Sequence, residues 1–305
     1  VLKLFKSYFD LEGLIMFMKQ TKVWLALTIV LSLLALASAC GKKETSEPGS
    51  TPTAGAKTYS GDVGSIAGSI GYTGTPPAPK KIDTSADPVC GQKNPNLSTE
   101  DTVVNNGKLA YTFVYIKDGT ATDGTKIGDY AWTPPATEAT LDQNGCHYRP
   151  HVLGLMTGQK LKITNSDPTQ HNIHPTPKNN PEWNQTQPNG APPIEKTFSR
   201  AEVLIPVKCN QHPWMKAYIG VLKHPFFAVS GEDGSFTIKG VPPGTYTVAA
   251  WHEGGATGTE KTMQVTVAAN GSAKADFAFG DAATAAGRPG LEMMPALDVP
   301  MLGRH

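Results

Sequence analysis

The sequence predicts an all-β protein, on three observations. Outside the first 40 residues no ten-residue window carries a sustained apolar stripe at helical spacing. From residue 60 onward, short alternating segments are separated by Gly, Pro, Asn and Asp. The 305 residues include 31 glycines and 25 prolines and only 17% charged side chains, a turn-rich composition unlike that of helical bundles or coiled coils. One or two β-sandwiches account for all three. With 27 basic and 26 acidic side chains, net +1, there is no excess positive charge with which to bind nucleic acid or a polyanionic surface.

Residues 24–39 (WLALTIVLSLLALASA) are apolar or small, follow Lys19 and Lys22, and precede Cys40. A basic start, a short apolar stretch and small residues before a cut site define a secretory signal over residues 1–39. Met18 opens a compact MKQTK start, so residues 1–17 read as a start-site artefact. Ala37, Ser38 and Ala39 before Cys40 resemble the lipobox of bacterial lipoproteins. The resemblance implies that Cys40 is lipidated and that the chain is extracytoplasmic, held by N-terminal lipid to a bacterial membrane on its periplasmic or outer-surface side. A plain signal peptide or a retained anchor are the alternatives, although sixteen residues is short for a span. Residues 40–62 then form the lipidated Cys and a flexible linker, whose roughly 20 residues reach about 25 Å.

The body divides by pattern. An N-terminal β segment, 63–137, contains the strand candidates Ser65–Tyr72 and Lys108–Lys117. Residues 138–224 contain Leu161–Asn165, Glu202–Val207 and Tyr218–Leu222. Residues 225–280 contain Ser235–Lys239, Thr245–Trp251, Thr262–Val267 and Ala273–Phe279. In Thr262–Val267, Met263, Val265 and Val267 share one face and Thr262, Gln264 and Thr266 the other, the period of a half-buried strand. Asp233-Gly234 and Pro242-Pro243-Gly244 punctuate the strands with turn chemistry. Pro206 predicts an edge position or a bulge. Residues 281–305, rich in Ala, Gly and Pro, read as a disordered tail.

The chemistry is concentrated in Val207-Lys-Cys209-Asn-Gln-His212-Pro-Trp-Met215. A thiolate, an imidazole and a thioether on one tight loop can meet at a single soft cation, and such a set suits copper bound by two His and a Cys with a weak axial Met. The second imidazole must come from elsewhere, and Asn165-Ser-Asp-Pro-Thr-Gln-His171-Asn172 supplies it at the end of a predicted strand. His174, three residues on, faces the other side of an extended segment. His174, His147 and His151 read as ordinary polar residues.

These two segments, with Tyr148 to Asn165 leading into the first, resemble the cupredoxins, or blue copper proteins, over residues 140–222. Amicyanin is nearest in loop length, with Pro213 following the loop histidine. The resemblance implies a Greek-key cupredoxin-like β-sandwich with one type 1 copper site whose ligands are His171, Cys209, His212 and Met215. It further implies that Asn172 braces the two ligand loops and that the His212 edge reaches solvent. An apolar patch there, with Pro213 and Trp214, would dock a transient redox protein such as a cytochrome or oxidoreductase. The absence of the usual Tyr before Cys209 and the presence of Ala217 after the Met are departures from the family pattern.

A closed ligand set without a vacant position predicts electron transfer rather than catalysis. Copper delivery, or a non-catalytic interaction module, are the alternatives. With Cys40 and Cys209 so used, Cys90 and Cys146 remain. Outside the cytoplasm they pair as a disulfide, unless Cys146 with His147 forms a second metal site or both stay free. Residues 228–252 (AVSGEDGSFTIKGVPPGTYTVAAWH) resemble the carboxypeptidase regulatory-like domain, a small transthyretin-like sandwich that is usually a non-catalytic scaffold. The motif covers half such a domain. The copper unit would therefore be inserted in, or lie flush against, a flanking or interleaved second small β-sandwich.

Overall fold

The computed structural model describes residues 56–254 and 258–280. Cys40, expected to be lipidated, lies outside the described residues, as do the expected signal, most of the expected linker and the 281–305 tail. No helix among the described residues is long and apolar enough to cross a membrane.

The regular structure of the described chain is almost entirely strand, as its composition predicts. Its elements are β1 (Gly64–Thr73), α1 (Pro88–Lys93), β2 (Val104–Asn105), β3 (Lys108–Leu109) and β4 (Phe113–Ala121). Then come β5 (Ala139–Gln143), β6 (Tyr148–Arg149), β7 (Val152–Met156), β8 (Leu161–Asn165), β9 (His171–Pro175), β10 (Gln185–Gln187) and β11 (Ile194–Lys196). The last are β12 (Glu202–Lys208), β13 (Lys216–Leu222), β14 (Phe227–Val229), β15 (Ser235–Val241), β16 (Gly244–His252), β17 (Thr259–Val267), β18 (Ser272–Lys274) and β19 (Phe277–Gly280).

Two sandwiches result, one interrupting the other. The outer one pairs the sheet β15-β1-β3-β2, with β18 and β19 running parallel to β1, against the sheet β14-β4-β16-β17. Its core joins Ile66, Ile70, Val114 and Ile116 to Phe236, Ile238, Tyr246 and Val248, residues more than a hundred positions apart. The inner sandwich, built from the sheets β10-β9-β12-β13-β7 and β11-β8-β5-β6, lies between β4 and β14 in sequence. Leu141, Tyr148, Leu161, Ile163, Ile173, Ile205 and Ile219 fill it. Residues 63–137 thus split: β1 to β4 serve the outer core, whereas Ile82, Cys90 and Leu97 pack into the inner one.

The seam between the sandwiches is aromatic rings on glycine. Gly154 of β7 and Gly220 of β13 are register partners in a parallel pair. A Cβ on Gly220 would stand 2.4 Å from the Phe113 ring, and one on Gly154 would stand 2.4 Å from that of Phe227. No relaxed side chain tolerates such contacts, so the absence of Cβ atoms allows the two rings to stack against the sheet.

Three expectations are corrected. Lys108–Lys117 is not one strand: at Tyr111 the backbone takes φ 57°, and the chain crosses from one sheet of the outer sandwich to the other. Ala273–Phe279 divides because Asp276 Oδ1, not a main-chain carbonyl, accepts the Ser69 N–H at 2.9 Å. Pro206 is not on an edge strand, for β12 lies between β9 and β13. The bulge alternative is present two residues earlier, where the register slips between Glu202 and Ile205 and Leu204 takes φ 62°.

Candidate metal centre

Two loops at one end of the inner sandwich carry the centre. The first joins β8 to β9. Its shape comes from Asn165, whose Oδ1 accepts the Asp167 N–H at 3.0 Å and whose Nδ2 donates to the Thr169 carbonyl at 2.9 Å. That turn delivers His171 to the first position of β9, fully buried. The second loop joins β12 to β13. Met215 N–H donates to the His212 carbonyl at 2.9 Å and Cys209 N–H to the Met215 carbonyl at 3.2 Å, folding seven residues into a tight arch.

The side chains converge. His171 Nδ1 and His212 Nδ1 are 2.9 Å apart, Cys209 Sγ is 3.7 Å from His212 Nδ1, and ligand atoms of all three lie within 4.8 Å of one another. A single ion at about 2.0–2.3 Å from each donor spans such separations. Exposures are 0% for His171, 2% for Cys209, 4% for His212 and 0% for Met215, which packs in the same core. Asn172 bridges the loops: its Oδ1 accepts the Asn210 N–H at 2.7 Å and lies 3.3 Å from Cys209 Sγ.

Each imidazole presents Nδ1 inward because a carboxylate holds Nε2. Asp167 Oδ2 is 2.9 Å from His171 Nε2, and Asp87 Oδ2 is 3.0 Å from His212 Nε2. A carboxylate accepts only, so both Nε2 atoms carry hydrogen. Asp167 also accepts the Gly145 and Cys146 N–H groups at 2.7 and 2.8 Å.

In the metal-free site the charges form a thiolate–imidazolium pair, so a metal ion entering it must displace the proton on the imidazole. Burial opposes charge on Cys209, but hydrogen bonds from His171, His212 and the backbone outweigh it and bring the thiol down to about 6. Burial likewise opposes charge on His171, while Asp167 and Cys209 overcome it and raise that imidazole to about 9. Asp167 is held below the usual carboxylate range: burial raises it, and the His171, Cys146 and Gly145 donors lower it further than burial lifts it. A thiolate facing two oriented imidazoles, with a buried methionine on the same loop, is a donor set that fits copper in chemical type.

Cys90 and Cys146 are joined by a disulfide, so Cys146 and His147 form no second metal site. His174 points away from the centre and meets Asn210 at 3.1 Å and Glu182 at 2.6 Å. His147 and His151 are buried, with Nδ1 atoms 3.8 and 3.9 Å from Glu100 Oε2, and His151 Nε2 pairs with Glu253 across the seam. Pro213 is exposed and Trp214 half-buried. One expectation fails: the His212 edge does not reach solvent, because Asp87 and the start of α1 cover it. Sequence reasoning missed Asp87. Asp87-Pro88 is a readable helix start, but nothing local links it to a histidine 125 residues later.

Among family models, the carboxypeptidase regulatory-like domain matches residues 215–279. No curated protein sequence matches the chain. Among solved structures, a copper-containing nitrite reductase from Thermus scotoductus SA-01 is 20% identical with TM-score 0.26, covering 29% of this chain; this chain spans only 25% of that one. A purple cupredoxin from Nitrosopumilus maritimus is 22% identical over 27% of this chain and 98% of its own, TM-score 0.24. A Cu(I) amicyanin mutant is 19% identical over 29% and 96%, TM-score 0.22.

Proposed function

We propose that this chain is a single-site copper protein that carries electrons one at a time between redox partners. The observation that carries the reading is the convergence of His171 Nδ1, His212 Nδ1 and Cys209 Sγ in a buried pocket, with both outer nitrogens fixed by carboxylates. Copper bound there would supply a one-electron couple between its +1 and +2 states. The chain's own residues do the rest. Cys209 would hold the ion through its thiolate, and His171 and His212 through their Nδ1 nitrogens. Met215, buried on the same loop, would be the thioether candidate, and Asn172 locks the two loops at a fixed spacing.

Rigidity is the functional property. His171, His212 and Cys209 are each held by a second residue, and the loops spring from paired strands, so these donors would move little when charge changes. Burial of all four side chains favours retention through redox cycles over handover to another protein, and a full donor set favours transfer over catalysis. A disulfide in the described residues and the lipoprotein-like start accord with a tethered, extracytoplasmic life beside a transient one-electron partner such as a cytochrome.

The deciding experiment is a visible spectrum of copper-loaded protein. An intense thiolate-to-copper charge-transfer band, lost in Cys209→Ser, is expected. Its absence in correctly folded, copper-loaded protein rejects the reading.

A further inference from the structure

We propose that Asp87 is a positioning residue for His212, and that helix α1, clipped in place by the Cys90–Cys146 disulfide, is a fixed cover over that histidine's outer edge. The inference deepens the copper reading and rests on it.

The two histidines obtain their carboxylates differently. His171 takes Asp167 from its own loop, four residues away. His212 takes Asp87 from a segment 125 residues earlier that belongs to neither sheet of the inner sandwich. Nothing in the β12–β13 loop requires that partner, so the contact is an addition to the two-loop site.

Asp87 is itself fastened at several points. Its Oδ1 caps α1 by accepting the Val89 N–H at 3.0 Å, its Oδ2 accepts the Thr169 hydroxyl at 2.8 Å, and its N–H donates to the Thr84 carbonyl at 3.0 Å. Thr169 lies in the loop that presents His171. Asp87 therefore ties the loop of one imidazole to the ring of the other.

A six-residue helix cannot hold such a position by itself. Its one buried residue is Cys90, bonded to Cys146. The disulfide reaches both carboxylate–histidine pairs. Donor atoms of Asp87, Cys90 and His212 lie within 4.8 Å of one another, as do those of Cys146, Asp167 and His171. Cys146 N–H donates to Asp167, and Trp214 Nε1–H donates to the Cys146 carbonyl at 3.1 Å. One covalent bond thus steadies both outer supports. With both cysteines 0% exposed, no external thiol can reach it, which makes it a clip rather than a switch.

The cover explains an otherwise odd burial. His212 stands between exposed Gln211 and exposed Pro213, yet is itself only 4% exposed. Asp87 and Trp214 close its two sides.

The test uses Asp87→Ala, Asp87→Glu and Cys90→Ala/Cys146→Ala, each checked for folding by circular dichroism. On metal-free protein, carbethoxylation of His212 by diethyl pyrocarbonate is followed by peptide mass spectrometry. The wild type should react slowly. Asp87→Ala and the cysteine double variant should react at least about 10-fold faster. On copper-loaded protein, capture of Cu(I) by a bathocuproine chelator should quicken by about 10–100-fold in Asp87→Ala, with a shifted charge-transfer band, and recover in Asp87→Glu. If the double variant fails to fold, Asp87→Ala and Asp87→Glu decide alone. Carbethoxylation within two-fold of wild type overturns the cover. An unchanged band and capture rate overturn the positioning role. Wild type that binds no copper would sink the electron-carrier reading instead, and the metal-free arm would still judge the cover.

Discussion

The ring centre of Trp214 lies 5.1 Å from that of His212, and its indole N–H is spent on the carbonyl of Cys146. The indole is therefore fixed in orientation, half-buried, and in contact with a metal-ligand candidate whose own edge is shut off by Asp87. Exposed Pro213 lies beside it. On the electron-carrier reading proposed above, this pair is where a redox partner would dock.

Trp214→Ala should keep copper and the charge-transfer band while slowing electron exchange with a cytochrome by about 10-fold or more. Trp214→Phe, which keeps an aromatic ring but loses the donor to Cys146, should fall between. Stopped-flow exchange rates give the answer, and equal rates in all three proteins would exclude the indole from the path.

Asn172 offers a second test. Its Oδ1 serves the Asn210 N–H, and its Nδ2 donates to Asn184 Oδ1 at 2.6 Å. Asn172→Leu leaves the Asn210 donor without its partner, which costs about 1–3 kcal/mol. Urea unfolding of the metal-free protein should show that loss, and the copper-loaded form should show a displaced visible band because the spacing of the two loops is no longer held. An unmoved band would confine Asn172 to stability.

The seam makes a prediction about packing. Gly220→Ala drives a methyl into the Phe113 ring and should destabilise by about 1–3 kcal/mol. Combining it with Phe113→Leu should cost less than the sum of the two single changes, since the smaller side chain makes room. Strict additivity in denaturation midpoints would mean that the ring and the glycine are not coupled.

Acid should weaken the protein through His224. Burial lowers this imidazole from 6.5 to about 4, and its Nδ1 accepts the Phe226 N–H at 3.3 Å. A group depressed on folding contributes stability that is complete above its unfolded pKa and drains away as pH falls below it. The window here runs from 6.5 down to about 4, with about 2–3 kcal/mol gone by pH 4.5. Urea midpoints at pH 7 and 4.5 should therefore separate more in wild type than in His224→Gln. The same separation in both would remove His224 from the acid response.

Local chemistry was enough to read much of this from the chain. Period-two alternation marks the strands at Leu161–Asn165 and Thr262–Val267, since a strand with one wet face records its burial in every second residue. The C-x2-H-x2-M loop declares itself because three donors within seven residues need no distant contact to be near one another. The strand β9 was harder to see, for His171-Asn-Ile-His174 mixes polar residues with the core-facing Ile173 and has no clean alternation.

The sequence by itself determined the fold class, the donor types and the loops that carry them, because each is written in neighbouring residues. Only the tertiary structure decided that β1 to β4 and β14 to β19 close one sandwich around another, that Asp87 rather than water meets His212, and that the disulfide lies behind both imidazoles. Those facts depend on pairs of residues separated by 56 to more than a hundred positions, whose encounter is set by how whole sheets stack and not by any pattern along the chain.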